Sequence, residues 1–186
     1  MSQGKVREQI IETADALYYG RGIQAVGMDE LRAASGVSLK RLYTLFSSKE
    51  EIVLAVLQYR HQMWTDGVTD AVNRGESLRA RLLAVYDYLA EWFATDSFRG
   101  CGFINAFGEL GAVSPAVAEV ARLHKQSFQE YLSRLVAEAG GSEELAAQLA
   151  ILAEGAQTTA AISGTAESAG QARRAAETLI QVSSAA

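Results

Sequence analysis

Residues 28–46 read MDELRAASGVSLKRLYTLF, and this stretch decides the fold of the N-terminal part of the chain. It predicts two short helices that meet at Gly36, because glycine has no Cβ and accepts the left-handed conformation of a sharp turn. Ser38 then stands where a side-chain oxygen can cap the second helix. The stretch therefore predicts a helix-turn-helix.

The two faces of this helix pair differ in chemistry. Lys40, Arg41 and Thr44 face outward, where lysine and arginine neutralise phosphates or reach guanine edges. Tyr43 and Lys49 flank that surface and can hydrogen-bond a nucleic-acid backbone. A plain helical hairpin with a solvated basic face has the same spacing, so the pattern alone leaves both interpretations open. The residues expected to form the small core of the pair are Leu31, Ala34, Val37, Leu42 and Phe46.

The whole chain is expected to be all-α. It has 186 residues, of which 49% are hydrophobic and one is proline. No stretch shows the alternating pattern of a strand. Helix signals divide it into about nine segments. A single cysteine excludes an internal disulfide, and the two histidines lie too far apart in the sequence to have zinc-site spacing. We therefore expect no metal and no cofactor.

The domain boundary is predicted where a long fourth helix starts. Ser48 is a cap for that helix, with Glu51 placed to complete a capping box. We therefore expect a three-helix DNA-binding domain over residues 1–48 and a helical ligand-binding and dimerisation domain over 49–186. The chain has no apolar run of membrane-spanning length and no signal-peptide pattern at its start, so we expect no membrane association and a cytoplasmic location.

Net charge does not favour a nucleic-acid partner. The formal charge is −5 at pH 7. Residues 1–60 contain eight Lys/Arg and seven Asp/Glu, a net +1, and the remainder contains nine and fifteen, a net −6. This charge asymmetry is too mild to indicate DNA binding. The prediction of DNA binding therefore depends on where the basic residues lie in the helix-turn-helix.

The segment GVSLKRLYTLFSSKEEIVLAVL, residues 36–57, resembles the signature of the TetR family of bacterial repressors. The matching pattern is Gly-Val-Ser, a Leu-Tyr pair, a phenylalanine, and a Ser-Lys-Glu turn into a long helix. Two features depart from it: Leu39-Lys40-Arg41 replaces a basic-small-small run, and Gly27 stands where Ser or Thr usually caps the second helix. The matching positions are Gly36, Val37, Ser38, Leu42, Tyr43, Phe46, Ser48, Lys49 and Glu50.

The resemblance implies a homodimer that places two recognition helices in successive major grooves of a palindromic double-stranded operator. It also implies that Tyr43 and Lys49 contact phosphates. By the same resemblance Ser38, Lys40, Arg41 and Thr44 are candidates for phosphate or base contacts. The departure at residues 39–41 leaves open which of these side chains reaches a base.

The C-terminal part has the residues for a small-molecule pocket between helices. Such pockets combine an apolar lining with a few polar groups. An aromatic lining favours an apolar or aromatic ligand, although each ring can equally be ordinary core. The residues expected to line the pocket are Trp64, Tyr86, Phe93, Phe103, Phe107 and His124.

Cys101 suggests a different inducer. The run Arg99-Gly100-Cys101-Gly102 resembles a stretch in one branch of the family, in which a Gly-Cys pair opens the sixth helix and the cysteine of some members senses electrophiles or oxidants. Positive charge and a helix N-terminus favour the reactive thiolate. A small buried residue at a tight turn is the competing interpretation, since free cysteine is often buried.

The last two predicted helices are rich in alanine, which lets helix axes approach closely. Two such helices from each subunit can form a four-helix bundle across a twofold axis, or they can pack only on their own subunit. The expected function is a repressor that a ligand releases from its operator through a population shift. The alternatives are a helical enzyme, which lacks a nucleophile–base pair here, and a DNA-free helical adaptor.

Overall fold

A computed structural model describes residues 2–183, and over that range the chain forms nine α-helices and no strand. The all-helical fold predicted from the sequence is therefore confirmed. The helices are α1 (Gln3–Arg21), α2 (Met28–Ser35), α3 (Leu39–Leu45), α4 (Lys49–Asn73), α5 (Leu78–Phe93), α6 (Gly102–Leu110), α7 (Pro115–Glu138), α8 (Glu143–Ser163) and α9 (Glu167–Ser183).

Serine side chains begin many of these helices, because a hydroxyl oxygen satisfies a backbone N–H that has no partner in the first turn. Ser38 accepts from the Arg41 N–H at 3.2 Å. At the start of α4, Ser48 accepts from the Glu51 N–H at 3.1 Å, as predicted. The Glu51 carboxylate accepts from the N–H of Ser47 at 2.6 Å, one residue before the cap. Two hydrogen bonds therefore fix the backbone at the start of α4.

The described residues divide into two compact units. The first unit contains the chain up to Gln62 together with Gly102–Arg122, so it holds α1 to α3, the first half of α4, α6 and the start of α7. Its core is apolar and fully buried. The residues of this core with no exposure are Ile10, Ala14, Val26, Leu31, Leu42, Ile52, Ala106 and Val117.

The second unit contains Met63–Cys101 and the chain from Leu123 onward. Its core is formed by α5, α8 and α9 with the later turns of α4 and α7, and the larger buried side chains include Tyr86, Leu89 and Leu132. Alanines at Ala153 and Ala176 are fully buried between these helices. Part of the alanine content of α8 and α9 therefore packs within one chain.

The two compact units do not coincide with the predicted domains, because α6 and the start of α7 fold with the N-terminal segment. A functional boundary after residue 48 stays a prediction. Among the residues that the structure describes, no helix is both long and apolar enough to cross a membrane.

Candidate nucleic-acid interface

The turn between α2 and α3 has the geometry that the sequence predicts. Gly36 follows α2 with φ 66° and ψ 19°, the left-handed conformation in which glycine carries no steric penalty. Ser35 is buried, and its hydroxyl donates to the Leu31 carbonyl at 2.7 Å. Gly27 is the N-cap of α2 and supplies no side-chain hydrogen bond. The turn is thus fixed by backbone conformation and one buried hydroxyl.

The core of the helix pair confirms most of the predicted inward residues. Leu31, Leu42 and Phe46 are buried, and Val37 is half-buried. Ala34 is exposed, so its assignment to the core was wrong. The helix pair is short, and its few large side chains bury the shared surface without the alanine.

The outward face of α3 carries the residues predicted to contact DNA. Lys40, Tyr43 and Thr44 are exposed and Arg41 is half-buried. Within the described part of the chain, neither Lys40 nor Arg41 forms an ion pair, so both cationic groups are available to an anionic partner. The Thr44 hydroxyl donates to the Lys40 carbonyl at 2.7 Å. Ser38 is also exposed, with its oxygen used as the helix cap.

Lys49 lies differently from the other candidates. Its ammonium donates to the carbonyl oxygens of Ile23 and Val26, at 2.6 Å each, and lies 5.7 Å from the centre of the Tyr18 ring. Burial lowers the pKa of Lys49, and the negative charge of Glu109 opposes that shift. Lys49 therefore holds the α1–α2 loop, a role that its sequence position did not reveal.

Glu109, on α6, is the second residue that holds this loop. Its carboxylate accepts from the N–H groups of Ile23 at 3.0 Å and Gln24 at 2.8 Å. The Gln24 amide donates in return to the Glu109 carbonyl at 2.6 Å. The sequence analysis missed Glu109, and no signal in the sequence could have found it, since about 85 residues separate the partners.

Four of the six residues predicted to line a ligand pocket lie in the second unit. The half-buried Trp64 is the centre of an aromatic cluster there, with ring-centroid distances of 6.3 Å to His124 and 5.6 Å to Phe128. Trp64 also contacts the rings of Tyr88 and Trp92, both at 5.4 Å. The structure thus brings Trp64 and His124 together among aromatic rings.

Of the other predicted pocket residues, Tyr86 and Phe93 belong to the core against which Trp64 packs, and the Phe93 ring lies 5.8 Å from the Trp92 ring between centroids. Tyr86 is fully buried and donates to the Leu149 carbonyl at 2.7 Å, and Phe93 is buried in the core of the second unit. Phe103 and Phe107 belong to the first unit, where Phe103 is buried and Phe107 is exposed. The six residues therefore do not form one cluster, and the assignment of a pocket to them stays a prediction.

The chain joins a helix-turn-helix, whose second helix has an exposed basic face, to a larger helical unit. This combination is typical of the class of transcription regulators. Comparison with known proteins identifies the family. The profile described as "Bacterial regulatory proteins, tetR family" matches residues 10–56, and "Tetracyclin repressor-like, C-terminal domain" matches residues 79–176. The chain belongs to the TetR family of bacterial transcription regulators. Since its relatives are regulators, the expectation that it is not an enzyme is confirmed.

Individual relatives give the same family. The transcriptional activator FasR of Mycolicibacterium smegmatis is 31% identical over 137 residues, which are 74% of this chain and 61% of FasR. The transcriptional repressor NemR of Escherichia coli is 29% identical over 56% of this chain and 53% of NemR. The chain thus spans less than two thirds of either protein. A TetR-family regulator of Streptomyces coelicolor has 25% identity and a TM-score of 0.90, with 97% of both chains covered.

Proposed function

We propose that this protein is a homodimeric repressor that binds a palindromic operator and is released by a small apolar or aromatic ligand. The observation that carries the proposal is the division of α3 into two faces. Leu42 is fully buried, whereas Lys40 and Thr44 on the same helix are exposed. An exposed basic face on the second helix of a helix-turn-helix suits the major groove of DNA.

The proposed contacts follow from position and charge. Lys40 and Arg41 supply the cationic groups for phosphates or guanine edges, and Thr44 and Ser38 add hydroxyls beside them. Tyr43 is 48% exposed and offers its phenol to a phosphate. We assign a phosphate contact to Lys49 as well, which requires its ammonium to bind a phosphate while it donates to the loop carbonyls.

The homodimer is supported by an apolar strip on α8. Ile151 and Ile162 are 68% and 83% exposed, and both lie on the helix face that also contains Gly155. A Cβ built on Gly155 meets no atom within 4 Å, so a second helix has room to approach this point closely. An exposed strip of this kind is typical of an interface between subunits.

The ligand proposal depends on the cluster around Trp64 in the second unit. His124 is buried at its edge, and an imidazole among aromatic rings can orient an otherwise apolar molecule. Such a ligand acts by binding one conformation more tightly than another and so lowers operator affinity. Repression is the proposed output, and since DNA is the target we place the protein in the cytoplasm.

DNA binding is tested by selecting bound duplexes from a random pool and measuring the affinity of the selected site by gel shift. We expect Lys40→Ala/Arg41→Ala to weaken binding at least about tenfold, because two cationic contacts are lost. The matched control is Arg74→Ala/Arg174→Ala, which removes two exposed charges from the second unit. No selected sequence at low salt would contradict the proposal and favour a DNA-free adaptor.

A second candidate inducer is an electrophile that reacts with Cys101. The observation that favours it is Lys125, whose ammonium lies 3.3 Å from the Cys101 sulfur and also pairs with Glu154. Lys125 thereby places a hydrogen-bond donor at the sulfur of a cysteine that is only 5% exposed. In the reaction the Cys101 thiol would give its proton to water, the sulfur would add to the β-carbon of an unsaturated carbonyl as the carbon–carbon double bond opens, and water would return a proton to the α-carbon.

N-Ethylmaleimide is the probe for this second candidate. We expect one adduct on the intact protein, detected by mass spectrometry, together with weaker operator binding. Cys101→Ser should abolish both effects, and Lys125→Met should slow adduct formation. Unchanged operator binding after complete labelling would exclude Cys101 as the sensor while leaving the DNA-binding proposal intact.

A further inference from the structure

Leu39, the first residue of α3, presents a large apolar side chain on the surface that is proposed to contact DNA. It is 40% exposed, and Tyr43 is the other large hydrophobic residue that is exposed within residues 28–46, all of which the structure describes. The core of the helix pair takes its large side chains from this segment at Leu42 and Phe46, which are 0% and 1% exposed. The exposed part of Leu39 is therefore available to a partner.

The run Leu39-Lys40-Arg41 is also where the chain departs from the signature of the TetR family. Lys40 and Arg41 have a place in the proposed DNA contact, since cations bind phosphates and guanine edges. Leucine has neither a charge nor a hydrogen-bonding group in its side chain. Its contact with DNA must therefore be apolar, and the phosphates offer no apolar surface.

The position of Leu39 on α3 places it beside the cationic groups. Residues four apart lie next to each other on a helix, so Leu39 and Tyr43 form one row and Lys40 and Thr44 form the next. The Thr44 hydroxyl donates to the Lys40 carbonyl at 2.7 Å, within the helix. The outward surface of α3 is thus hydrophobic along one row and basic at the start of the other.

The major groove of DNA offers one apolar group on the base edges, the C5-methyl of thymine. In a helix-turn-helix the N-terminal residues of the second helix contact those edges. The charges of Lys40 and Arg41 complement the phosphates and bring this surface of α3 to the groove. Contact between Leu39 and a thymine methyl would remove apolar surface of both partners from water, which is favourable.

We propose that Leu39 is a specificity-determining residue, which recognises a thymine in each half-site of the operator through the C5-methyl group. The inference rests on the proposed DNA binding and adds a base preference to it. Because a dimer presents two copies of Leu39, the thymine should recur at symmetric positions of the palindrome. Lys40 and Arg41 contribute affinity, and Leu39 contributes discrimination against a base pair without the methyl.

The test uses the operator that the unmodified protein selects from a random pool. Thymine is the one source of a C5-methyl group in a pool of unmethylated DNA, and we expect it at matching positions of the two half-sites. Each of these thymines is then replaced by uracil, which keeps the base pair and removes only the methyl. In a gel shift, uracil at one position of a half-site should weaken binding about three- to fivefold.

Leu39→Ala should bind the thymine and uracil operators equally, because the side chain that contacts the methyl is gone. Leu78→Ala is the matched control and should keep the preference for thymine. Leu78 is 41% exposed and, like Leu39, is the first residue of its helix after a serine N-cap, but it lies in the second unit. The preference is a ratio of two affinities of one variant, so a partial loss of folded protein does not change it.

Two results would overturn the inference and leave DNA binding intact. The first is equal affinity of the unmodified protein for the thymine operator and for each uracil operator. The second is a thymine preference that persists in Leu39→Ala, since another side chain would then contact the methyl. A protein that selects no duplex at low salt would overturn the proposed function and this inference together.

Discussion

The ammonium of Lys49 lies 2.6 Å from the carbonyl oxygen of Val26, the residue just before the N-cap of α2. This contact joins the start of the long helix α4 to the entry of the helix-turn-helix. A second bond of the same ammonium, to Ile23, fixes the other end of the loop. The loop therefore takes its shape from a residue that the sequence assigns to DNA.

Replacing Lys49 by methionine should lower the free energy of unfolding by about 1–2 kcal/mol, because two hydrogen bonds from a charged donor are lost at a partly exposed site. Chemical denaturation of the DNA-free protein measures this. Lys40→Met is the control, since that side chain is exposed, and should change stability by less than about 0.5 kcal/mol. Equal stability of the two variants would mean that Lys49 does not stabilise the α1–α2 loop.

Glu109→Gln should loosen the α1–α2 loop without unfolding the protein. The amides of Ile23 and Gln24 lose their charged acceptor, so hydrogen exchange there should be about tenfold faster. Exchange in α8 should stay unchanged. Glu76→Gln, at an exposed position, is the matched control. Protection of the two amides in Glu109→Gln equal to that of the unmodified protein would contradict the role given to Glu109.

The ion pair of Asp15 and Arg60 predicts a pH dependence. Desolvation raises the pKa of Asp15 above its ordinary 3.8, against the opposing effect of Arg60. The folded state thus holds this proton more tightly than the unfolded state. The contribution of Asp15 to stability is fully present below pH 3.8 and is lost as the pH rises through the folded pKa.

Asp15→Asn tests this sign. The neutral amide resembles the protonated carboxyl that the folded state favours, so near neutral pH the variant should be at least as stable as the unmodified protein. In urea unfolding from pH 4 to 6, the stability of the variant should rise more with pH than that of the unmodified protein. The reason is that the asparagine side chain of the variant has no proton to lose, whereas the loss of the Asp15 proton lowers stability as the pH rises. Asp87→Asn removes an exposed ion pair with Arg173 and should leave the pH profile of stability unchanged. Parallel pH profiles for Asp15→Asn and the unmodified protein would contradict the prediction.

Ile151→Glu should weaken the proposed dimer by at least about tenfold, because a charge replaces an exposed apolar side chain at the strip on α8. Sedimentation equilibrium measures the dissociation constant. Val113→Glu is the control, at a residue that is 77% exposed in the first unit. If Ile151→Glu and Val113→Glu dimerise equally well, the interface does not include this strip.

Local features of the fold could be predicted because their causes lie within a few residues. Gly36 adopts the left-handed turn that its missing side chain permits, and Ser38 and Ser48 cap the helices that follow them. Pro115 begins α7, where its lack of an N–H is harmless. The error at Ala34 has the same origin, since periodicity assigns a face but not which small side chain a neighbour covers.

The helix-turn-helix of residues 28–46 is determined by the sequence itself. Backbone preference, caps and the spacing of Leu31, Leu42 and Phe46 act over short distances, and they suffice to make this motif and present its basic face. Tertiary structure alone decided how the motif is held. The contacts of Lys49 and Glu109 with one loop arise only when α1, α4 and α6 pack together. Hydrogen bonds between residues so far apart depend on that packing, which no local pattern records.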